Sequence, residues 1–183
     1  MKIFFTASYF GKEKYQSNYD LVRKTLEATG IELLSPEVGN YLSVLKETDY
    51  KQRSKKKLHY EAIRRGILSS QAVVIEISHE DFQLGHEATL AIMAKKPVLC
   101  LSIHEDFSKK IVNPYFFAAK YNEYNIEEIV GNFIKRIEKE ALDQRFNLFL
   151  SKRQLENLES TSKRMGMNNS EYLRMLLDKN SRD

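Results

Sequence analysis

The chain has 183 residues, room for one ordinary domain and a small appendix. Its 42% hydrophobic content suits a packed core, yet the apolar runs AVVIEI and PVLCLSI are far too short to cross a bilayer, and MKIFFTASYF lacks the apolar stretch of a signal peptide, so a cytoplasmic location without membrane contact is the default. The net charge is +4, the single Cys100 excludes an internal disulfide, and four scattered histidines imply no metal.

Residues 2–7 (KIFFTA) read as a first strand, broken by SYFG near Gly11. Apolar positions at helical spacing over 14–29 (Tyr15, Tyr19, Leu21, Val22, Leu26) predict a helix that stops at Gly30. IELL (31–34) is a short second strand before Pro36, and 37–50 is a polar connection. A helix follows over about 52–69. From Lys46 to Arg65 eight basic residues face three acidic ones, either a solvated surface or a phosphate-attracting one. AVVIEI (72–77) is a β-branched run that predicts a strand buried on both faces. SHEDFQLG is a loop, and HEATLAIMAKK (86–96) is a helix opened by Gly85 and closed before Pro97. PVLCLSI (97–103) is another buried strand, with Cys100 as a small hydrophobe inside it. A short strand follows near 116–121. NIEEIVGNFIKRIEKEAL (125–142) is an amphipathic helix.

This alternation predicts an α/β domain over 1–142. Its sheet is open, mostly parallel and Rossmann- or flavodoxin-like, with helices on both faces. Ligands of such folds bind outside the carboxyl ends of the strands, which draws attention to the loops after KIFFTA and AVVIEI. The chain has neither GxGxxG nor GxxxxGK[ST], and no cofactor is implied.

Glu87 is the candidate chemical group. It falls in the first turn of a helix after a buried strand, where the helix N-terminus favours its charged form, and Gly85 lets the backbone approach a ligand. A fixed carboxylate can attack a sugar carbon as its base departs. Asp81, six residues earlier, can hydrogen-bond the base or sugar, or protonate the leaving base. The plain alternative for a glutamate so placed is a capping or dipole partner.

The segment AVVIEISHEDFQLGHEATLAIMAKKPVLCLS resembles the nucleoside 2-deoxyribosyltransferase and nucleoside-monophosphate N-glycosidase family, and the opening IFFTASYFG resembles that family's first strand and loop. The resemblance covers roughly residues 2–140. It implies that Glu87 is the nucleophile, with Asp81 where the transferases keep an aspartate and the monophosphate glycosidases a serine. It also implies that Ser8 and Tyr9 line the sugar or phosphate, with Gly11, Gly85 and His86 beside the ligand. Three departures stand out: His86 stands where an aromatic residue is usual, Ala7 replaces a usual glycine, and Ile63 occupies the place of an aspartate that assists the leaving base. Glu61 is near but about 200° around the helix.

Residues 143–183 read as a second unit. In RFNLFL, Phe146, Leu148 and Leu150 alternate with Arg145, Asn147 and Phe149. A helix with Leu155, Leu158 and Met165 inward closes at Gly166. Asn169 or Ser170 caps a second helix carrying Tyr172, Leu173, Leu176 and Leu177. Strand, helix, glycine and capped helix resemble a ribbon-helix-helix module. That resemblance implies a homodimer whose Arg145, Asn147 and Phe149 face the bases of double-stranded DNA, with the helix end at Asn169 and Ser170 on a phosphate. From 142 to 183 there are eight basic and six acidic residues, so dimerisation without DNA stays open.

Three functions follow as expectations. The first is cleavage or transfer at the N-glycosidic bond of a nucleoside or nucleotide. The second is a dimeric DNA-binding regulator that senses a nucleotide. The third, prompted by Ile63, is a nucleotide-binding domain without turnover.

Overall fold

The computed structural model describes residues 1–52, 54–139 and 146–180. The chain divides into two compact units, Met1–Ala141 and Leu142–Asp183.

The first unit contains β1 (Lys2–Ala7), α1 (Lys12–Ala28), β2 (Glu32–Leu34), α2 (Glu47–Gln52), α3 (Lys55–Ser69), β3 (Ala72–Glu76), α4 (Phe82–Met93), β4 (Val98–Ser102), β5 (Phe116–Lys120) and α5 (Ile126–Lys139). All strand pairs are parallel, in the order β2-β1-β3-β4-β5. It is therefore an open, five-stranded, Rossmann-like α/β sheet.

Side chains alternate along each strand, so one apolar run feeds two cores. Ile3, Phe5, Val74 and Leu101 pack with Val22, Leu26, Val130 and Phe133 on the α1 and α5 face. Phe4, Val73, Ile75 and Cys100 pack with Ile63, Ile67, Leu84 and Ala91 on the α3 and α4 face. Every residue of β3 and of β4 is buried. Each large aliphatic side chain so buried contributes about 1.5–3 kcal/mol. Gly66 lets α3 press on β1, because a Cβ there would lie 2.5 Å from the Phe4 ring.

Three local expectations change. The polar connection 37–50 holds a 3-10 turn at Asn40–Val44 and the start of α2. The basic stretch after it is partly neutralised: Arg65 bonds Asp49 at 2.7 and 3.0 Å and Glu61 at 2.7 Å, while Arg64 lies 3.6 Å from Glu61. The helix carrying Glu87 begins at Phe82 rather than after Gly85, because Asp81 caps it by accepting from the Gln83 amide at 2.9 Å.

The chain leaves β1 to make β2 on one side and β3 on the other. The strand order thus reverses between β1 and β3, and the crevice at their carboxyl ends is the place a ligand would sit.

In the second unit, α6 (Lys152–Arg164) starts with a capping box between Ser151 and Gln154, and α7 (Asn169–Asn180) follows Gly166, whose φ is +68°. Asn168, rather than Asn169 or Ser170, caps α7: its Oδ1 accepts from the Glu171 amide at 2.9 Å, and Glu171 accepts from the Asn168 amide at 3.0 Å. Asn169 instead accepts from the Ser162 hydroxyl at 2.7 Å. Residues 146–150 form no strand in the single chain, where a lone strand has no neighbour to satisfy its backbone groups. Arg145 lies outside the described residues; Asn147 and Phe149 are exposed. Of the three positions expected inward, Leu158 on α6 is buried, whereas Leu155 on α6 and Met165 at its C-cap are exposed.

Candidate functional site

Four elements meet at the crevice. β1 ends in Thr6 and Ala7 and passes into Ser8. The loop after β3 carries Ser78, His79 and Asp81. The first two turns of α4 carry Gln83 and Glu87, and α1 offers Tyr15 and Tyr19 from the opposite face.

Ser8 and Asp81 are joined although 73 residues apart: the Ser8 hydroxyl donates to Asp81 Oδ2 at 2.8 Å. Since Oδ1 takes the Gln83 amide, both carboxylate oxygens act as acceptors. Gln83 then turns its side chain to Glu87, donating from Nε2 to Oε1 at 2.8 Å. Residues four apart on a helix share a face, which makes this contact available. Glu87 is 1% exposed, and its Oε2 has no hydrogen-bond partner among the described residues.

Glu87 is the sixth residue of α4, not a first-turn residue. Helix-end electrostatics fade within the first turn, so burial decides its charge. Burial pushes its carboxyl up to about 7; the hydrogen bond from Gln83 and the nearby Thr6 side chain pull the other way, and the charge of Asp81 raises it further. The expectation that the helix end holds Glu87 ionised is corrected: the group balances between two protonation states near neutrality.

Gly11 is buried where the loop after β1 crosses Tyr19 and His79. A Cβ there would lie 2.2 Å from the Tyr19 hydroxyl and 2.6 Å from His79 Cβ. The hydroxyl of Tyr19 is buried without a partner among the described residues, and burial with the nearby charge of Glu76 raises its pKa. Glu76, fully buried at the end of β3, accepts from the Ser78 hydroxyl, from the Ser78 amide at 3.3 Å and from Tyr121 at 2.9 Å. Burial raises its pKa against those bonds. Ser78 also accepts from the Ile103 amide at 3.0 Å, so this knot ties the ends of β3, β4 and β5 and steadies the loop leading to Asp81.

The other candidates spread out. Tyr9 is 76% exposed on the loop after β1. Gly85 is exposed, with nothing within 4 Å of where a Cβ would stand, and faces about 200° away from Glu87 around α4. His86 lies next to Glu87 and stacks on Tyr60 of α3, their ring centroids 5.9 Å apart. Ile63 is 3% exposed within the apolar cluster under α4, and Glu61 is turned to Arg65, so neither puts an acid into the crevice. Among the described residues no cluster suited to a metal ion occurs.

No family model and no curated protein matches the chain. Solved structures do. A CMP N-glycosidase of Clostridium botulinum is 10% identical, with 71% of this chain and 98% of that one covered and a TM-score of 0.48. A de novo designed Rossmann 2x3 protein is 18% identical, with 81% and 98% covered and a TM-score of 0.43. The likeness is one of fold.

Sequence reasoning missed Gln83, Thr6 and Tyr19. Gln83 carried a signal: it stands four residues before Glu87. Tyr19 carried none, since its inward position on a helix is also that of an ordinary core residue.

Proposed function

We propose that the first unit breaks or transfers the N-glycosidic bond of a nucleoside or nucleotide, with Glu87 as nucleophile. One observation carries this reading. Glu87 is a buried carboxyl with one oxygen held by Gln83 and the other unpartnered among the described residues, at the strand-order switch of an open parallel sheet. A buried acceptor left without a partner costs about 1–3 kcal/mol, more when charged. Such a cost is reasonable where a ligand supplies the missing contact. Oε2 would bond to the sugar C1′ as the base leaves, and water or a second base would then release the sugar. Asp81, with both oxygens accepting, suits a sugar hydroxyl rather than a phosphate, whose charge it would repel. The segment around Glu87 that resembles the deoxyribosyltransferase family supports the same assignment.

The test is incubation of the full chain with deoxynucleosides and their monophosphates. Base is released by the wild type and not by Glu87→Gln, at a rate that rises with pH around 7 as Glu87 ionises. No free base from any member of the panel sinks the reading.

A second reading concerns the tail. Phe146, Phe149 and Leu177 are 85%, 98% and 70% exposed in the single chain, and Leu158 is the one buried apolar side chain of the second unit's described residues. A unit of this size cannot stand on so little core. A second copy pairing residues 146–150 and covering α7 would make a homodimer, and the DNA-binding regulator is its extension. Sedimentation of the full chain tests the dimer, and salt-dependent affinity for duplex DNA, weakened in Arg145→Ala, tests the regulator.

A further inference from the structure

A carboxylate can react through either oxygen, and at Glu87 the side chain one turn earlier on α4 tells the two apart. The Gln83 amide donates from Nε2 to Oε1 at 2.8 Å, whereas Oε2 has no partner among the described residues. An oxygen without a donor can form a new bond without first giving one up. Gln83 is itself anchored. Its backbone amide donates to Asp81 Oδ1 at 2.9 Å, and Asp81 Oδ2 accepts from the Ser8 hydroxyl at 2.8 Å. The end of β1 is thus tied through Asp81 and Gln83 to the carboxyl of Glu87. The elements around Glu87 add little charge. β1 contributes Thr6, α3 puts Ile63 and Ile67 into the core shared with α4, and β4 contributes Cys100, whose thiol is kept protonated by burial. Glu76 of β3 is bonded to Tyr121, and Glu61 of α3 to Arg65. His86 is exposed and stacks on Tyr60. Asp81 remains, and its charge opposes the ionisation of Glu87.

We propose that Gln83 is the positioning residue of the reaction: by holding Oε1 it presents Oε2 as the attacking atom and keeps Glu87 in the carboxylate form that attacks. The proposal rests on the N-glycosidic reading. The bond from Oε2 to C1′ forms as the bond from C1′ to the base nitrogen breaks, and the electron pair of that bond leaves with the base. Gln83 gains and loses no proton in this step; it acts through Glu87. A hydrogen bond donated to a carboxylate favours its ionised form, and here it works against the burial of the group. The donor is neutral and the bond part-buried, so its loss is worth about a tenfold change in the ionisation equilibrium, a shift of about one pH unit.

The experiment follows Glu87 in the full chain in two ways as pH is raised. One is the carboxyl carbon resonance of labelled glutamate, with the Glu87 signal identified by its absence in Glu87→Gln. The other is kcat for base release from whichever common 2′-deoxynucleoside or 5′-monophosphate the wild type cleaves fastest. In Gln83→Met, which fills the same space without a donor, both midpoints move up by about one pH unit, and kcat below neutrality falls by about tenfold. In Gln83→Lys a cation replaces the neutral donor, and both midpoints move down instead. Opposite shifts from one position are not what a loosened helix produces, and either variant serves should the other not fold. If the wild type releases base but the midpoints are the same in all three proteins, the role of Gln83 is overturned and Glu87 stands as nucleophile. A loss of kcat that is equal at every pH has the same meaning. If the wild type releases no base from any substrate, the N-glycosidic reading and this proposal fall together.

Discussion

Replacing Glu87 by glutamine should make the protein more stable, and by an amount that depends on pH. The carboxyl has an ordinary pKa of 4.5 and one of about 7 in the folded chain, burial being the main cause. A group with a higher pKa folded than unfolded binds its proton more tightly in the native state. Its contribution is full below the unfolded value and is lost as pH rises through the folded one. The interval from 4.5 to about 7, at about 1.4 kcal/mol per pH unit, amounts to about 3 kcal/mol lost above neutrality. Glutamine has the shape of the protonated acid and nothing to ionise, so the variant keeps that stability. Urea unfolding of both proteins from pH 4 to 9 measures it. The two should match below about pH 4.5, diverge through the window and differ by about 3 kcal/mol at pH 8. A pH-independent difference, or a wild type more stable than the variant at pH 8, would refute the account of Glu87 as a carboxyl strained by burial. A site that gains stability when its chemical group is removed is one where function has been favoured over stability.

Gly11→Ala places a methyl against the Tyr19 hydroxyl and His79 and should cost about 1–3 kcal/mol; Tyr19→Phe removes one of the clashing atoms, so the double variant should recover part of the loss in denaturant titrations, and full additivity would deny the contact. Ser8→Ala leaves Asp81 Oδ2 without its donor and should destabilise by about 1.5–3 kcal/mol at neutral pH; an unchanged midpoint would mean the bond does not persist in solution. Cys100, 4% exposed and with its thiol pushed up to about 12 by burial, should react with an aromatic disulfide only in denaturant, which absorbance of the released thiolate checks.

The sequence alone determined the α/β alternation, the buried strands and the position of Glu87 and Asp81 around the β3–α4 turn. Those features are local: strand and helix periods are written in runs such as AVVIEI and IEEIVGNFIKRI, and the chain order follows from them. It misplaced the start of α4, because an Asp81 cap and an inward Leu84 outweigh the interruption at Gly85. Only the tertiary structure decided what the site residues do. Ser8 meets Asp81 across 73 residues. Arg65 spends its charge on Asp49 and Glu61 instead of a phosphate. Ile63 belongs to the core, and Tyr60 meets His86. Above all, the protonation of Glu87 depends on what covers it. Desolvation is a property of the packed neighbours of a group, and no spacing of residues along a chain records which neighbours those will be.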